Sequence, residues 1–385
     1  MSYDLIHWVL DKMNPLVSSR PYRALEWCDE ENMPRAIRQC CQNMLLQNWN
    51  RRLPWIQMQS PAKTACVRLE IIVNDVAIYD EIPLNVIDFC AGSGGPTPIF
   101  EGLINGNRTR DGLAPLQFVL SDLWPNITAW EEHSKKSDNL TYIEQSVDAA
   151  HPPPIALSVN SPRGVSYADT KHDPEEKPAG CSPNRIFRLF NLSFHHLGDE
   201  EARRVLRSTL VNADGIAIIE LQDRRLGCML LMALNIFLVL LVTPFWFSPF
   251  RRQRRWQNVV HLLLTYSGIL PVVLCWDGLA SCLRTREFEE VMASIGEIEG
   301  VTPRITYDCE NETVDKYCEI NEWTFTWRRQ MHTFPFGYVN WITGVRKPDS
   351  RRLDSMQATA GSSTSPSNAD SNRSQSSASS GLKVE

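Results

Sequence analysis

The chain has 385 residues, 43% of them apolar, a formal charge of −6 and eleven cysteines. That length and apolar share can bury a large core in one domain or two, and the acidic balance sets up no positive field for phosphates, which argues against a nucleic-acid partner. The cysteines are odd in number and repeat no C-x-x-C spacing, so neither disulfides nor structural zinc is expected, and the charged, interrupted start does not read as a secretory leader.

Residues 34–46 carry the apolar recurrence of an amphipathic helix, with Cys40 and Cys41 read as small buried hydrophobes within it. The first strong signal follows at residues 86–98, Val-Ile-Asp-Phe-Cys-Ala-Gly-Ser-Gly-Gly-Pro-Thr-Pro. An apolar run that ends in an acid and breaks into glycines predicts a buried parallel strand, a tight turn and a helix, with main chain that a ligand can approach closely. Asp88, Cys90, Gly92 and Gly94 fall two apart. The dinucleotide fingerprint fits less well, because Thr97 stands where a glycine or alanine belongs.

A second apolar run, residues 118–121, leads into an acid at Asp122, and residues 142–147 lead to a third acid, Asp148. An acid closing the second strand of a βαβ unit can accept hydrogen bonds from ribose hydroxyls. The plainer reading of each is a solvated turn carboxylate. Residues 187–191 predict a fourth strand whose loop holds His195, His196 and Asp199. A helix is expected over 200–206, a doubly buried strand over 216–220, a helix over 286–292, and a strand pair over 323–327 and 338–345.

The two-residue spacing resembles the D/E-x-G-x-G-x-G turn of class I S-adenosylmethionine-dependent methyltransferases, with Cys90 in the place of the first glycine. The likeness runs from about Ile82 to Arg346 and is nearest to a group of fungal methyltransferase-like proteins, of ill-defined chemistry, that share the D-F-C-A-G-x-G-G-P-T-P turn. It implies a Rossmann-like α/β fold whose mostly parallel seven-stranded sheet has an antiparallel last strand. Its cofactor would be S-adenosylmethionine, held by Asp88, Cys90, Ala91, Gly92, Ser93 and Gly94 of the turn, by Asp122 and Leu123, by Val147 and Asp148 at the adenine, and by Asn191 beyond the fourth strand. His195 or His196 would supply a base for the acceptor, or instead pack against the cofactor or cap the next helix; His332 and Tyr338 are further candidates for substrate contact. No metal site is expected. A helical cap over 1–80, a catalytic domain over 81–346 and a disordered tail over 347–385 complete the division.

One segment is foreign to a minimal domain of this kind. Residues 226–250 contain no charge, Arg251, Arg252, Arg254 and Arg255 follow as a basic knot, and residues 256–276 are again uncharged. The first stretch is long enough to span a bilayer, which takes about 20 apolar residues. Two spans would carry the knot to the far side, against the tendency of short basic loops to stay cytoplasmic. The expectation is a surface-lying or re-entrant insertion on the cytoplasmic face of a membrane, with Trp246, Trp256 and Trp276 at the interface; a buried lid or a dimer surface is the other reading. Methyl transfer to a hydrophobic small molecule, at oxygen, follows as the leading function. An isomerase or cyclase on the same fold, and a scaffold without catalysis, stand beside it.

Overall fold

The computed structural model describes residue 10 and residues 12–78, 83–152, 185–248, 255–308 and 315–347. Arg251, Arg252 and Arg254, the side chain of Arg255, and residues 348–385, where the tail was expected, lie outside them.

The elements in chain order are α1 (Arg35–Asn50), α2 (Pro61–Ile78), β1 (Leu84–Phe89), α3 (Thr97–Arg110), β2 (Gln117–Ser121), α4 (Ile127–Ser134), β3 (Leu140–Tyr142), β4 (Arg185–Asn191), α5 (Asp199–Asn212), β5 (Gly215–Glu220), α6 (Leu226–Trp246), α7 (Arg255–Tyr266), α8 (Ile269–Arg284), α9 (Phe288–Glu299), β6 (Ile305–Asp308), β7 (Asp315–Ile320), β8 (Trp323–Thr333) and β9 (Gly337–Arg346). The strands form a single sheet in the order β3-β2-β1-β4-β5-β9-β8-β7-β6. The five on the β3 side are parallel, and β9 runs antiparallel between β5 and β8. The expected strand pair is therefore present as β8 and β9, but the sheet has nine strands rather than seven. The additions are β6 and β7, an antiparallel edge pair whose short, partly exposed strands gave little alternation to read.

Every residue of β1 and β5 is buried, as expected of parallel strands covered on both faces. Because side chains alternate, Val86 points into one apolar cluster with α2, α3 and α4, while Ile87 and Phe89 point into another with α5 and α9. Each such Val, Ile or Phe contributes about 1.5–3 kcal/mol on burial. The entry of α5 is fixed by Glu201, whose carboxylate accepts the Gly198 N–H at 2.7 Å, and three acids in its first turn complement the helix dipole.

Two α-helices fall within the expected 1–80 cap. Helix α2 is itself a layer on the sheet, where Ala65, Leu69, Ile72 and Val73 meet Leu189, Ala217 and Trp341. Helix α1 bridges two clusters: Trp49 joins that of α2, while Cys40, Cys41 and Met44 join Val239 and Val242 of α6 and Leu270, Val273 and Leu274 of α8 in a third. The two cysteines are buried, as read from the sequence.

The insertion forms α6, α7 and the first half of α8, and that last helix continues past residue 276 to Arg284. By length and composition α6 is long and apolar enough to cross a membrane. One side of it meets the protein through Gly227, Cys228, Val239, Val242 and Thr243. The other leaves Leu226, Leu230, Leu234, Phe237, Leu241 and Phe245 exposed, and steps of three and four residues put these on one helical face. Trp256 is exposed on α7 and Trp276 is 42% exposed on α8. Trp246 departs from the expected interfacial trio: it packs against the third cluster, with the Arg51 guanidinium over its ring.

Candidate functional site

Strand order reverses direction between β1 and β4, and in open α/β sheets the crevice beyond the carboxyl ends at such a point is where ligands bind. The glycine turn lies there. Phe89 pairs with Ser121 across β1 and β2, so Cys90 and Asp122 leave the sheet side by side. Cys90 takes φ 64° and Gly92 φ 55°. Cys90 thus holds the left-handed conformation that favours glycine, at a cost of roughly 1–2 kcal/mol. A Cβ built on Gly92 would meet nothing within 4 Å, so this backbone faces open space, whereas one on Gly94 would stand 3.0 Å from the His133 ring.

Asp122 draws the turn together. One carboxylate oxygen accepts the Gly92 N–H and the other the Trp124 N–H, both at 2.8 Å. Burial pushes its carboxyl above the ordinary range, with the two N–H donors pulling the other way. Its carbonyl accepts the Val147 N–H at 2.9 Å, which brings Val147 and Asp148 to the same place. Asp148 does not close a strand, because β3 ends at Tyr142. It sits in a turn, accepting from Ala150 N–H at 2.8 Å and facing His151 Nδ1 at 3.2 Å. Leu123 is 47% exposed and Trp124 82%, so this wall of the crevice is open. Ala91 is buried, with its N–H on the Ser121 carbonyl at 3.0 Å, and the Ser93 hydroxyl accepts from Asn126 Nδ2 at 3.0 Å.

Asp88 is fully buried and works differently from Asp122. Its carboxylate accepts from the Thr97 hydroxyl at the start of α3 and from Asn191 Nδ2, at 3.2 Å, at the end of β4. It thereby ties together the three elements that frame the crevice. Burial raises its pKa to about 7, against the Thr97 and Asn191 hydrogen bonds. Among the described residues Asp88 Oδ1 and Asn191 Oδ1 are buried acceptors with no donor. Arg188 locks the far side, its guanidinium donating to the Ala149 carbonyl at 3.1 Å and lying over the Phe89 ring.

The two histidine rings lie 4.3 Å apart but differ in exposure and partners. His195 is buried, its Nδ1 2.8 Å from Glu220 Oε2 and its Nε2 3.8 Å from Glu26 Oε1. Its backbone N–H donates to Glu220 as well. His196 leaves 37% of its side chain exposed, with Nδ1 3.1 Å from Asp29 and 3.5 Å from Glu26. Burial opposes the charging of His196, but the Asp29 and Glu26 carboxylates outweigh it and hold its pKa above 6.5. Burial alone would raise Asp29; the His196 and Arg284 partners bring it down to about 2. Arg284, at the end of α8, reaches Asp29 at 3.0 Å, Glu26 at 3.2 Å and the His196 carbonyl at 3.1 Å. Glu26, Asp29, Glu220 and Arg284 escaped the sequence reading because no motif or periodicity links four positions that the fold alone gathers. The cavity beside His195 and Glu220, reaching Asp223, Asn340 and Trp327, measures about 20 Å³, room for a water and not for a substrate. His332 and Tyr338 lie on β8 and β9 near the hairpin between them; Tyr338 is buried under Arg329, and His332 Nδ1 faces the Thr333 hydroxyl at 2.8 Å.

No protein-family model and no curated protein matches this sequence. Among solved structures, magnesium protoporphyrin IX methyltransferase from Synechocystis PCC 6803, with bound S-adenosylmethionine, is similar over 83% of this chain and 100% of its own, at 9% identity and a TM-score of 0.35. A protein from Rhodobacter sphaeroides described as a zinc-dependent alcohol dehydrogenase is similar over 82% of this chain and 100% of its own, at 10% identity and a TM-score of 0.33. The CcbJ methyltransferase from Streptomyces caelestis is similar over 78% and 84%, at 10% identity and a TM-score of 0.25.

Proposed function

We propose that the chain binds S-adenosylmethionine in the crevice beyond β1, β2 and β4 and transfers its methyl group to an oxygen of a hydrophobic small molecule at a membrane surface. The observation that carries the cofactor is the convergence of an open Gly92 backbone, the Asp122 carboxylate and two buried acceptors without donors. An α-ammonium group would supply donors to Asp88 Oδ1 and Asn191 Oδ1. Ribose hydroxyls would donate to Asp122, whose two oxygens offer about four lone-pair sites and keep capacity beyond the two N–H bonds already made. Val147 and Leu123 would flank the adenine, with Asp148 near its amino group. The bound cofactor supplies an electrophilic methyl.

The residues of the chain orient the acceptor and take its proton. His196 is the histidine suited to that task, because its ring is partly exposed and paired with Asp29, whereas His195 is enclosed between two carboxylates. The exposed apolar stripe of α6, together with the basic knot that follows it in sequence, supports contact with a bilayer carrying anionic headgroups. An apolar acceptor would then be taken from that surface.

Calorimetry with S-adenosylmethionine tests the cofactor, and mass spectrometry of lipid-extract components incubated with enzyme and methyl-labelled cofactor tests the transfer. One labelled methyl on one extract component is the expected product. Binding without any mass change would overturn methyl transfer; no binding would overturn the whole reading.

A further inference from the structure

Glu26, Asp29, Glu220, His195, His196 and Arg284 meet where the amino-terminal segment, the loop after β4, the end of β5 and the end of α8 converge. Three carboxylates there face one guanidinium, so the cluster is short of positive charge unless the imidazoles are protonated or a cation enters. Its geometry favours the cation. One donor atom each from Glu26, His195 and His196 lies within 4.8 Å of the others. The individual separations are 3.8 Å for His195 Nε2 to Glu26, 3.5 Å for His196 Nδ1 to Glu26 and 3.1 Å for His196 Nδ1 to Asp29. Ligands bound to one ion at 2.0–2.2 Å stand about 3.3 Å apart in a tetrahedral shell. The three donors would have to draw together by up to about 1.5 Å, and Asp29, which stands outside that group of three, would have to move further to join them.

The surroundings of His195 add an independent argument. A metal-binding histidine usually gives its second ring N–H to a carboxylate, which fixes the tautomer and turns the other nitrogen toward the ion. Glu220 stands in that place, 2.8 Å from Nδ1, and leaves Nε2 facing Glu26.

We propose that His195 Nε2, His196 Nδ1, Glu26 and Asp29 form a site for a first-row divalent cation of the zinc, cobalt or manganese kind, with Glu220 as the positioning residue for His195. Two imidazoles and two carboxylates are a donor set for such ions rather than for calcium or magnesium, which take oxygen ligands. Arg284 is the built-in competitor. Its Nη1 touches the carboxylates of Glu26 and Asp29 that the ion would use, so occupancy requires the guanidinium to swing aside. The site shares His196 and Asp29 with the proposed proton transfer, but its occupancy can be measured without S-adenosylmethionine, so its failure and that of the methyl-transfer reading are distinguishable.

The test uses the full chain stripped with chelator and titrated with cobalt(II), whose visible spectrum separates nitrogen and oxygen ligation from thiolate, and with zinc followed by calorimetry. The expected result is one equivalent per chain without a thiolate band. His196→Ala, at a half-exposed position, should weaken binding at least tenfold, and Glu220→Gln should weaken it 10–100-fold at unchanged stoichiometry. Arg284→Met should tighten it, which a merely structural ion-pair network would not do; circular dichroism confirms that each variant is folded. Substoichiometric binding, a thiolate spectrum, or affinities untouched by His196→Ala and Glu220→Gln in folded protein would overturn the site.

Discussion

Asp122 accepts the backbone N–H of Gly92 at 2.8 Å, so the acid that leaves β2 is fastened to the turn that leaves β1. The same carboxylate is proposed to hold the ribose. Asp122→Ala should therefore weaken S-adenosylmethionine binding by about 1.5–3 kcal/mol, the range of a hydrogen bond to a charged group. Asp122→Asn, which keeps one acceptor oxygen, should lose less. Calorimetry that finds wild-type affinity in the alanine variant would remove Asp122 from the cofactor site.

Cys90 occupies the position where the resemblance asks for glycine, and its φ of 64° shows the backbone still following the glycine geometry. Its thiol is held protonated by burial and by the nearby Asp122, Asp88 and Asp148 carboxylates, which makes it a poor nucleophile. Cys90→Gly should be neutral or stabilising by up to about 1 kcal/mol, since relief of left-handed strain competes with the entropy that glycine loses on folding. Cys90→Val should be destabilised, because a β-branched residue tolerates this region worst. Urea midpoints measure both; a valine variant as stable as the glycine variant contradicts the strain.

Strands β1, β2 and β5 were legible because each is a largely apolar run with an acid at or beside its end, and such runs arise when both faces of a strand are covered; β3 ends at Tyr142 and β4 at Asn191. Strand β9 could be read for a related reason: Tyr338, Val339, Trp341 and Ile342 are all buried. Helix α2 was missed although nine of its residues are buried, since a helix lying flat on a sheet carries apolar residues over so broad an arc that its period blurs. At the site, the turn residues and Asp122 followed from local spacing. Glu26, Asp29, Glu220 and Arg284 did not, because their meeting depends on packing among distant segments. His195 illustrates the difference: the sequence pairs it with His196, and the fold keeps that pairing but adds two carboxylates around it that the sequence did not reveal.

Asp88 gives a pH dependence with a definite sign. Its folded pKa of about 7 lies above the ordinary 3.8, so folding takes up a proton between those values. The stability this provides is full below pH 3.8 and is lost as pH rises through 7. Asp88→Asn should flatten that part of the stability curve. The proposed cofactor brings positive charge and favours the ionised carboxylate, so wild-type affinity for S-adenosylmethionine should rise from pH 6 to pH 8 with release of a proton. Calorimetry in buffers of different ionisation enthalpy detects that proton; its persistence in Asp88→Asn would assign the titration to another group.

The exposed face of α6 offers the remaining test. Leu230, Leu234, Phe237 and Leu241 present apolar surface to solvent on a helix whose opposite side is anchored to the protein. Large contiguous apolar patches on a protein surface mark interaction sites. If that face meets lipid, replacing Leu234, Phe237 and Leu241 with Ser should abolish sedimentation with anionic vesicles while the melting temperature holds, since none of the three supports the core. Replacing Arg251, Arg252, Arg254 and Arg255 with Gln should weaken binding by about 1 kcal/mol per residue and make it insensitive to anionic lipid content. A dimer surface would respond in another way: the serine variant would run as a smaller species on gel filtration, and wild-type protein would ignore vesicles of either charge. Wild-type protein that is monodisperse, monomeric and indifferent to vesicles would defeat the membrane assignment, and with it the argument that the acceptor arrives from a bilayer.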